Sequence, residues 1–152
     1  MRRIFTLVAA IGLLSTSACS TKYQEIGATG GVSAFPIAND TYRITARGNG
    51  YTDQSLIQDF VLLKSAEVAL SKNANFFRIV KSQDASRSHT QFKSRHYSSF
   101  SSGSAYTVLK PGSDVYIQIL RVPKGQKPPS YVFNAREVYN SIAPRLKEKP
   151  KK

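Results

Sequence analysis

Glu67 holds the position that most needs a chemical explanation. Drawn at about 100° per residue, a helix over Asp53 to Lys72 places it between Leu56 and Phe60, in the middle of an apolar arc. A carboxylate there must be paired, hydrogen-bonded or protonated. It reads either as an acid that serves a ligand or as one arm of an internal ion pair with Lys64, Arg43 or Arg47. The ion pair is favoured, because no second carboxylate or nucleophile stands at a spacing that would work with it. The two histidines, His89 and His96, lie in a polar stretch where Asp84 is the only nearby acid. A catalytic zinc ordinarily takes three protein ligands, so no metal and no cofactor are expected. The serines from Ser98 to Ser104 lack a Gly-x-Ser-x-Gly context. Gly48-Asn49-Gly50 precedes a helix but lacks the third glycine of a dinucleotide loop. No catalytic residue follows from these patterns, and a hydrolase is only a distant alternative. Arg87, Lys93, Arg95 and His96 are interleaved with Phe92, Tyr97, Phe100 and Tyr106. Cations among stacking aromatics would suit an anionic sugar-phosphate ligand. The competing reading, a solvated loop whose aromatics cover a sheet, carries more weight.

Cys19 is the only cysteine, and it falls where an export signal ends. Arg2 and Arg3 precede an uncharged apolar run from Ile4 to Leu14, well short of the ~20 apolar residues that span a bilayer. Thr16-Ser17-Ala18 then lead into Cys19-Ser20. This order resembles the bacterial lipobox, in which a diacylglycerol is joined to the cysteine sulfur. Cleavage between Ala18 and Cys19 then leaves the lipidated cysteine as the amino terminus. Thr16 occupies the place where leucine is commonest. The same residues also admit ordinary signal cleavage, leaving a free thiol, or an intermolecular disulfide. Each buried acyl methylene is worth ~0.8 kcal/mol and stable attachment takes two chains, which a processed lipoprotein exceeds. Ser20 is not the aspartate that retains enterobacterial lipoproteins in the inner membrane, so the resemblance implies the outer membrane, on its periplasmic face.

The chain has 22 basic and 9 acidic residues; without Arg2 and Arg3 the balance is 20 against 9, or +11. Such a surplus favours polyanionic neighbours such as lipid head groups, lipopolysaccharide or glycan phosphates. The expected location argues against nucleic acid. With one cysteine no internal disulfide can form, so the fold rests on burial and hydrogen bonding.

Residues 1–18 are read as the signal peptide and 19–40 as the lipidated terminus with a flexible tether, since glycine and small polar residues there keep no period. Residues 41–146 form one domain, and 147–152 (KEKPKK) a basic disordered tail. Thr41 to Arg47 alternates as a half-buried strand with Arg43, Thr45 and Arg47 on one face. The helix over Asp53 to Lys72 has Thr52 or Asp53 as its cap and Asn73 or Asn75 as a left-handed terminator. Phe76 to Lys81 is a second strand, and Ser82 to Ser104 a long loop or irregular exposed hairpin. Ala105 to Leu109 is a short strand and Asp114 to Val122 the clearest one. Asn134 caps a last helix from Ala135 to about Ile142, and Pro144 ends or kinks it.

Tyr42-Arg43-Ile44, Gly48-Asn49-Gly50-Tyr51-Thr52, Leu62-Leu63-Lys64-Ser65-Ala66-Glu67 and Phe76-Phe77-Arg78-Ile79-Val80, behind a lipobox, resemble a family of small proteobacterial lipoproteins without an assigned activity. The likeness covers residues 41 to 81 well and the rest loosely. That family's helix reads Arg-Ala-Ala-Glu where this chain has Lys64-Ser65-Ala66-Glu67, and lysine cannot reproduce arginine's forked pairing with a carboxylate. The expected fold is a two-layer α+β domain, an antiparallel or mixed sheet of three to five strands with two helices on one face. The expected function is that of a lipid-anchored, non-enzymatic envelope module for structure, assembly or interaction with an envelope protein. The alternative is a binding module for anionic envelope ligands.

Overall fold

The computed structural model describes residues 20–97 and 100–147, with the backbone alone for 89–106. The fold is α+β. Strands β1 (Gly31–Ala38), β2 (Thr41–Arg47), β3 (Phe76–Asp84), β6 (Gly112–Leu120) and β7 (Phe133–Asn134) form a five-stranded sheet in the order β1-β2-β6-β3-β7. Every pairing in it is antiparallel. Strands β4 (Arg87–Tyr97) and β5 (Phe100–Lys110) form a separate two-stranded ribbon.

Alternation along the strands gives the sheet one apolar face. Val32, Ile44, Ala46, Phe77, Val115, Ile117 and Ile119 are buried there against helix α1 (Gln54–Ser71). The helix meets them with Ile57, Phe60, Val61, Ala66 and Ala69. The small residues Ala66 and Ala69, rather than Leu56 and Leu70, lie deepest, because a short side chain lets helix and sheet approach. Leu56 and Leu70 sit at the margin. Ser65 is fully buried and satisfies its hydroxyl on the Val61 carbonyl at 2.7 Å.

The expected helix ends are largely found. Asp53 stands at the N-cap without a side-chain bond. Asn73 adopts φ 55°, and the Ala74 N–H returns to the Ala69 carbonyl at 2.8 Å, closing α1 with a left-handed turn. In helix α2 (Ala135–Lys147) the Asn134 Oδ1 accepts from the N–H groups of Arg136 and Glu137 at 3.0 and 3.2 Å. α2 packs along α1 through Leu63, Ile142 and Ala143, with Val138, Tyr139 and Leu146 beside them.

Three expectations are corrected. Residues 19–40 are not a tether throughout: β1 pairs with β2 along its length, Thr21 is 4% exposed, and Tyr23 packs edge-on against Phe60 at 5.4 Å. Glycine and Pro36 disguise β1, since an edge strand tolerates proline where an inner one does not. The α2 helix runs through Pro144 to Lys147, held there because Leu146 joins the apolar seam and Lys147 reaches Glu67. Of the two readings of Ser82 to Ser104 the hairpin holds and the long loop does not, and among the described residues its pairing is regular. β3 extends to Asp84, and β4 pairs with β5 without a break from Arg87↔Lys110 to Tyr97↔Phe100. At about 3.4 Å per residue this ribbon is roughly 35 Å long.

Candidate anion-binding site

Glu67 is three-quarters buried, and its partners are not the expected ones. Its Oε1 accepts from Lys147 Nζ at 2.5 Å and its Oε2 from the Tyr23 hydroxyl at 2.8 Å. Lys64 pairs instead with Glu25 at 2.7 Å, and the Arg43 guanidinium lies 5.4 Å from the Phe35 ring centroid. Glu67 faces the seam between α1 and α2, whereas Lys64 faces the amino-terminal segment and Arg43 projects from the far side of the sheet. The Lys147 ammonium also lies over the rings of Tyr23 and Tyr139, at 5.7 and 5.1 Å. Burial, then the hydrogen bond to Glu67 and its charge, push the Tyr23 phenol far above its ordinary range. The hydrogen bond to Glu67 raises Lys147 as well, against partial burial. Both carboxylate oxygens are thus engaged in tying the amino-terminal segment, α1 and α2 together. Glu67→Gln is expected to cost about 1 kcal/mol, since Tyr23 keeps an acceptor while the ion pair is lost. Glu67→Ala should cost about 2 kcal/mol, because the half-buried hydroxyl is orphaned too. Urea midpoints unchanged in both variants would show that no such tie exists.

The other constellation lies on the far side of the sheet, where the ribbon leaves it. A cavity of about 390 Å³ opens there, lined by Arg47, Arg87, Lys110, Asn49, Pro111 and the turn Gly27–Gly30, with no acidic residue in its lining. Close backbone approach builds its wall: at Gly30, with φ +99°, a Cβ would stand 2.3 Å from the Arg47 carbonyl oxygen. Arg47 is held rigidly. Its Nη1 donates to the Ala46 and Ser113 carbonyls at 2.8 and 3.2 Å, and its Nη2 to Asp114 Oδ2 at 2.9 Å. Those bonds use three of the five guanidinium donors, leaving two without a partner among the described residues. Arg87 and Lys110 are the first register pair of the ribbon, both exposed, and neither has an ion-pair partner among the described residues. Like charges directly opposite one another on paired strands repel, so this pair is destabilising until an anion joins it.

Asp114 Oδ1, on the carboxylate paired with Arg47, and Arg43 Nε are buried without a hydrogen-bond partner among the described residues. Burial works to raise the Asp114 carboxyl but is outweighed by the Arg47 hydrogen bond, the Thr45 hydroxyl and the charges of Arg47 and Arg43. Its value therefore lies below the ordinary aspartate range. A carboxyl depressed in the folded state stabilises above its unfolded pKa of about 3.9, and that contribution is lost as pH falls through the folded value. Stability should therefore drop as pH falls below about 4, and Asp114→Asn should flatten that part of a urea-midpoint profile. An identical acid limb in the variant would contradict this.

Of the expected basic cluster, Arg87 lines the cavity. Lys93, Arg95 and His96 lie in β4 with their side chains outside the described residues. Ala18 and Cys19, the expected cleavage and lipid-attachment residues, lie outside the described residues. Among the described residues no three His, Cys, Asp or Glu side chains are grouped to hold a metal, and no helix is long and apolar enough to cross a membrane. The cavity residues missed from sequence are Arg47 and Lys110. Arg47 was legible as one of the cations on the polar face of β2, but Lys110 comes opposite Arg87 only through the ribbon's register. Compared with protein families, with curated proteins and with solved structures, the chain matches none.

Proposed function

We propose that the protein is a lipid-anchored lipoprotein of the bacterial outer membrane, facing the periplasm, and that it acts as a non-enzymatic interaction module for other envelope components. The anchor rests on the lipobox-like residues ending at Cys19. The observation that carries the module reading is the ribbon. Among the described residues β4 and β5 pair only with each other, so each strand has one edge with no other strand beside it. An open edge of this kind is a template for strand addition by a partner. A second reading, binding of an anionic ligand, is favoured by the cavity of Arg47, Arg87 and Lys110.

Excising Thr90 to Thr107 and joining His89 to Val108 through a two-residue turn keeps the first register pairs of the ribbon and removes its length. Photo-crosslinkers at Ser88 and Leu109 in intact cells should capture a discrete envelope protein in the full chain, and capture should vanish in the shortened one. Undiminished capture by the shortened chain, with its melting temperature unchanged, would refute the ribbon as the contact. Acyl mass on Cys19, lost in Cys19→Ser together with membrane retention, tests the anchor.

A further inference from the structure

We infer that the cavity of Arg47, Arg87 and Lys110 binds the phosphate of a glycerophospholipid head group in the same membrane that holds the chain; this rests on the anchored reading. The first support is position. Thr21 is fixed at the rim of the cavity: its N–H donates to Thr52 Oγ1 at 3.0 Å, its hydroxyl to the Thr29 carbonyl at 2.9 Å, and it accepts from the Asn49 N–H at 3.0 Å. Thr29 and Asn49 both line the cavity. Cys19 precedes Thr21 by two residues, a reach of at most about 7 Å. A cysteine acylated there holds the cavity at the depth of the head groups, with no slack to carry it away.

The second support is chemistry. Three cations line the cavity and no carboxylate does. The three acids closest in the chain are otherwise engaged: Glu25 is paired with Lys64 at 2.7 Å. Asp114 is bonded to Arg47, and Asp84 accepts from the Ser86 N–H at 2.8 Å. Arg47 offers two unspent N–H groups from a guanidinium fixed by three bonds, which suits the forked recognition of phosphate oxygens. Arg87 and Lys110 bring mobile charges to the opposite wall, and a bound phosphate would relieve their mutual repulsion. A volume of about 390 Å³ accommodates a head-group phosphate with its glycerol, and is generous for a free inorganic ion.

The test titrates the intact protein, isolated from membranes in neutral detergent, with dihexanoyl phosphatidic acid, dihexanoyl phosphatidylcholine and inorganic phosphate, followed calorimetrically. Phosphatidic acid should saturate one site at least tenfold more tightly than inorganic phosphate, with phosphatidylcholine weaker because its own cation competes. Arg87→Ala with Lys110→Ala, both exposed, should weaken phosphatidic acid at least tenfold at a melting temperature no lower than that of the parent chain, since their mutual repulsion is removed as well. Absence of saturable binding, or binding indifferent to that double variant, overturns the site. Equal affinity for inorganic phosphate overturns the lipid as its source. Mass spectrometry of the same preparation separates the two readings: a protein without acyl mass defeats the anchor, while the titration still decides the cavity.

Discussion

Replacing Tyr23 with alanine should destabilise the fold by about 3 kcal/mol or more, although the residue lies in a stretch whose composition reads as a linker. The ring stands edge-on to Phe60, which is 1% exposed, and borders the seam of Leu63, Ile142 and Ala143 between the helices. Truncation opens a gap beside a fully buried ring, strips Glu67 Oε2 of its donor at 2.8 Å and removes one of the two rings under Lys147. Urea denaturation followed by far-ultraviolet circular dichroism measures the loss. A midpoint equal to that of the parent chain would mean that the amino-terminal segment is not part of the domain. Tyr23→Phe separates ring from hydroxyl and should cost only about 1 kcal/mol at neutral pH. It should also change the alkaline limb. Above about pH 10 the tyrosine of the unfolded chain ionises while the buried one stays protonated, so the unfolded state binds fewer protons and stability falls with rising pH. One such group contributes up to about 1.4 kcal/mol per pH unit. Lys147, raised by Glu67, loses its contribution in the same direction, so the phenylalanine variant flattens the limb without abolishing it.

Tyr23 also marks the boundary of what the sequence discloses. The strand β2, the helix α1 with its Asn73 terminator, the strand β6 and the Asn134 cap of α2 are legible because each carries a local signal: alternation, an apolar arc, a left-handed asparagine or a capping pair. Where the local signal is absent or misleading, the reading fails. β4 and β5 carry serine, threonine and glycine with no sustained apolar alternation, so their pairing left no mark of period two. β1 hides behind Gly31 and Pro36. Glu67 is legible as a carboxylate on the apolar arc of α1, yet its cation comes from Lys147, eighty positions away, on a helical turn beyond Pro144. The basic cavity was half legible in the same sense. Arg87 belonged to a visible cluster, but that cluster was contiguous in sequence, whereas the cavity draws one cation from each of three strands, β2, β4 and β5. Residues brought together by register rather than by spacing cannot be grouped before the register is known.

Thr52→Val should cost about 2 to 4 kcal/mol, a large effect for a substitution that preserves shape. Thr52 is 8% exposed, and its hydroxyl oxygen accepts from the N–H groups of Thr21 and Asn49 at 3.0 and 3.3 Å. Its single proton can serve either Thr21 Oγ1 or Asn49 Oδ1, both at 2.9 Å. Valine fills the same space and satisfies none of these groups, which leaves the buried Thr21 N–H without an acceptor and weakens the hold on Asn49. The deficit is local, so amide exchange should report it before global unfolding does: Thr21 should lose its protection while Ile44 and Ile117 at the centre of the sheet keep theirs. Thr52→Ser, which retains the oxygen, should restore most of that protection. Persistent protection at Thr21 in the valine variant would show that another contact pins the segment. The same substitution reaches the lipid site without touching its cations. Once Thr21 is released, the rim formed by Thr29 and Asn49 is no longer tied to the chain two residues from Cys19. Phosphatidic acid affinity should therefore fall in Thr52→Val and return in Thr52→Ser, whereas a cavity that depended on charge alone would bind both variants like the parent.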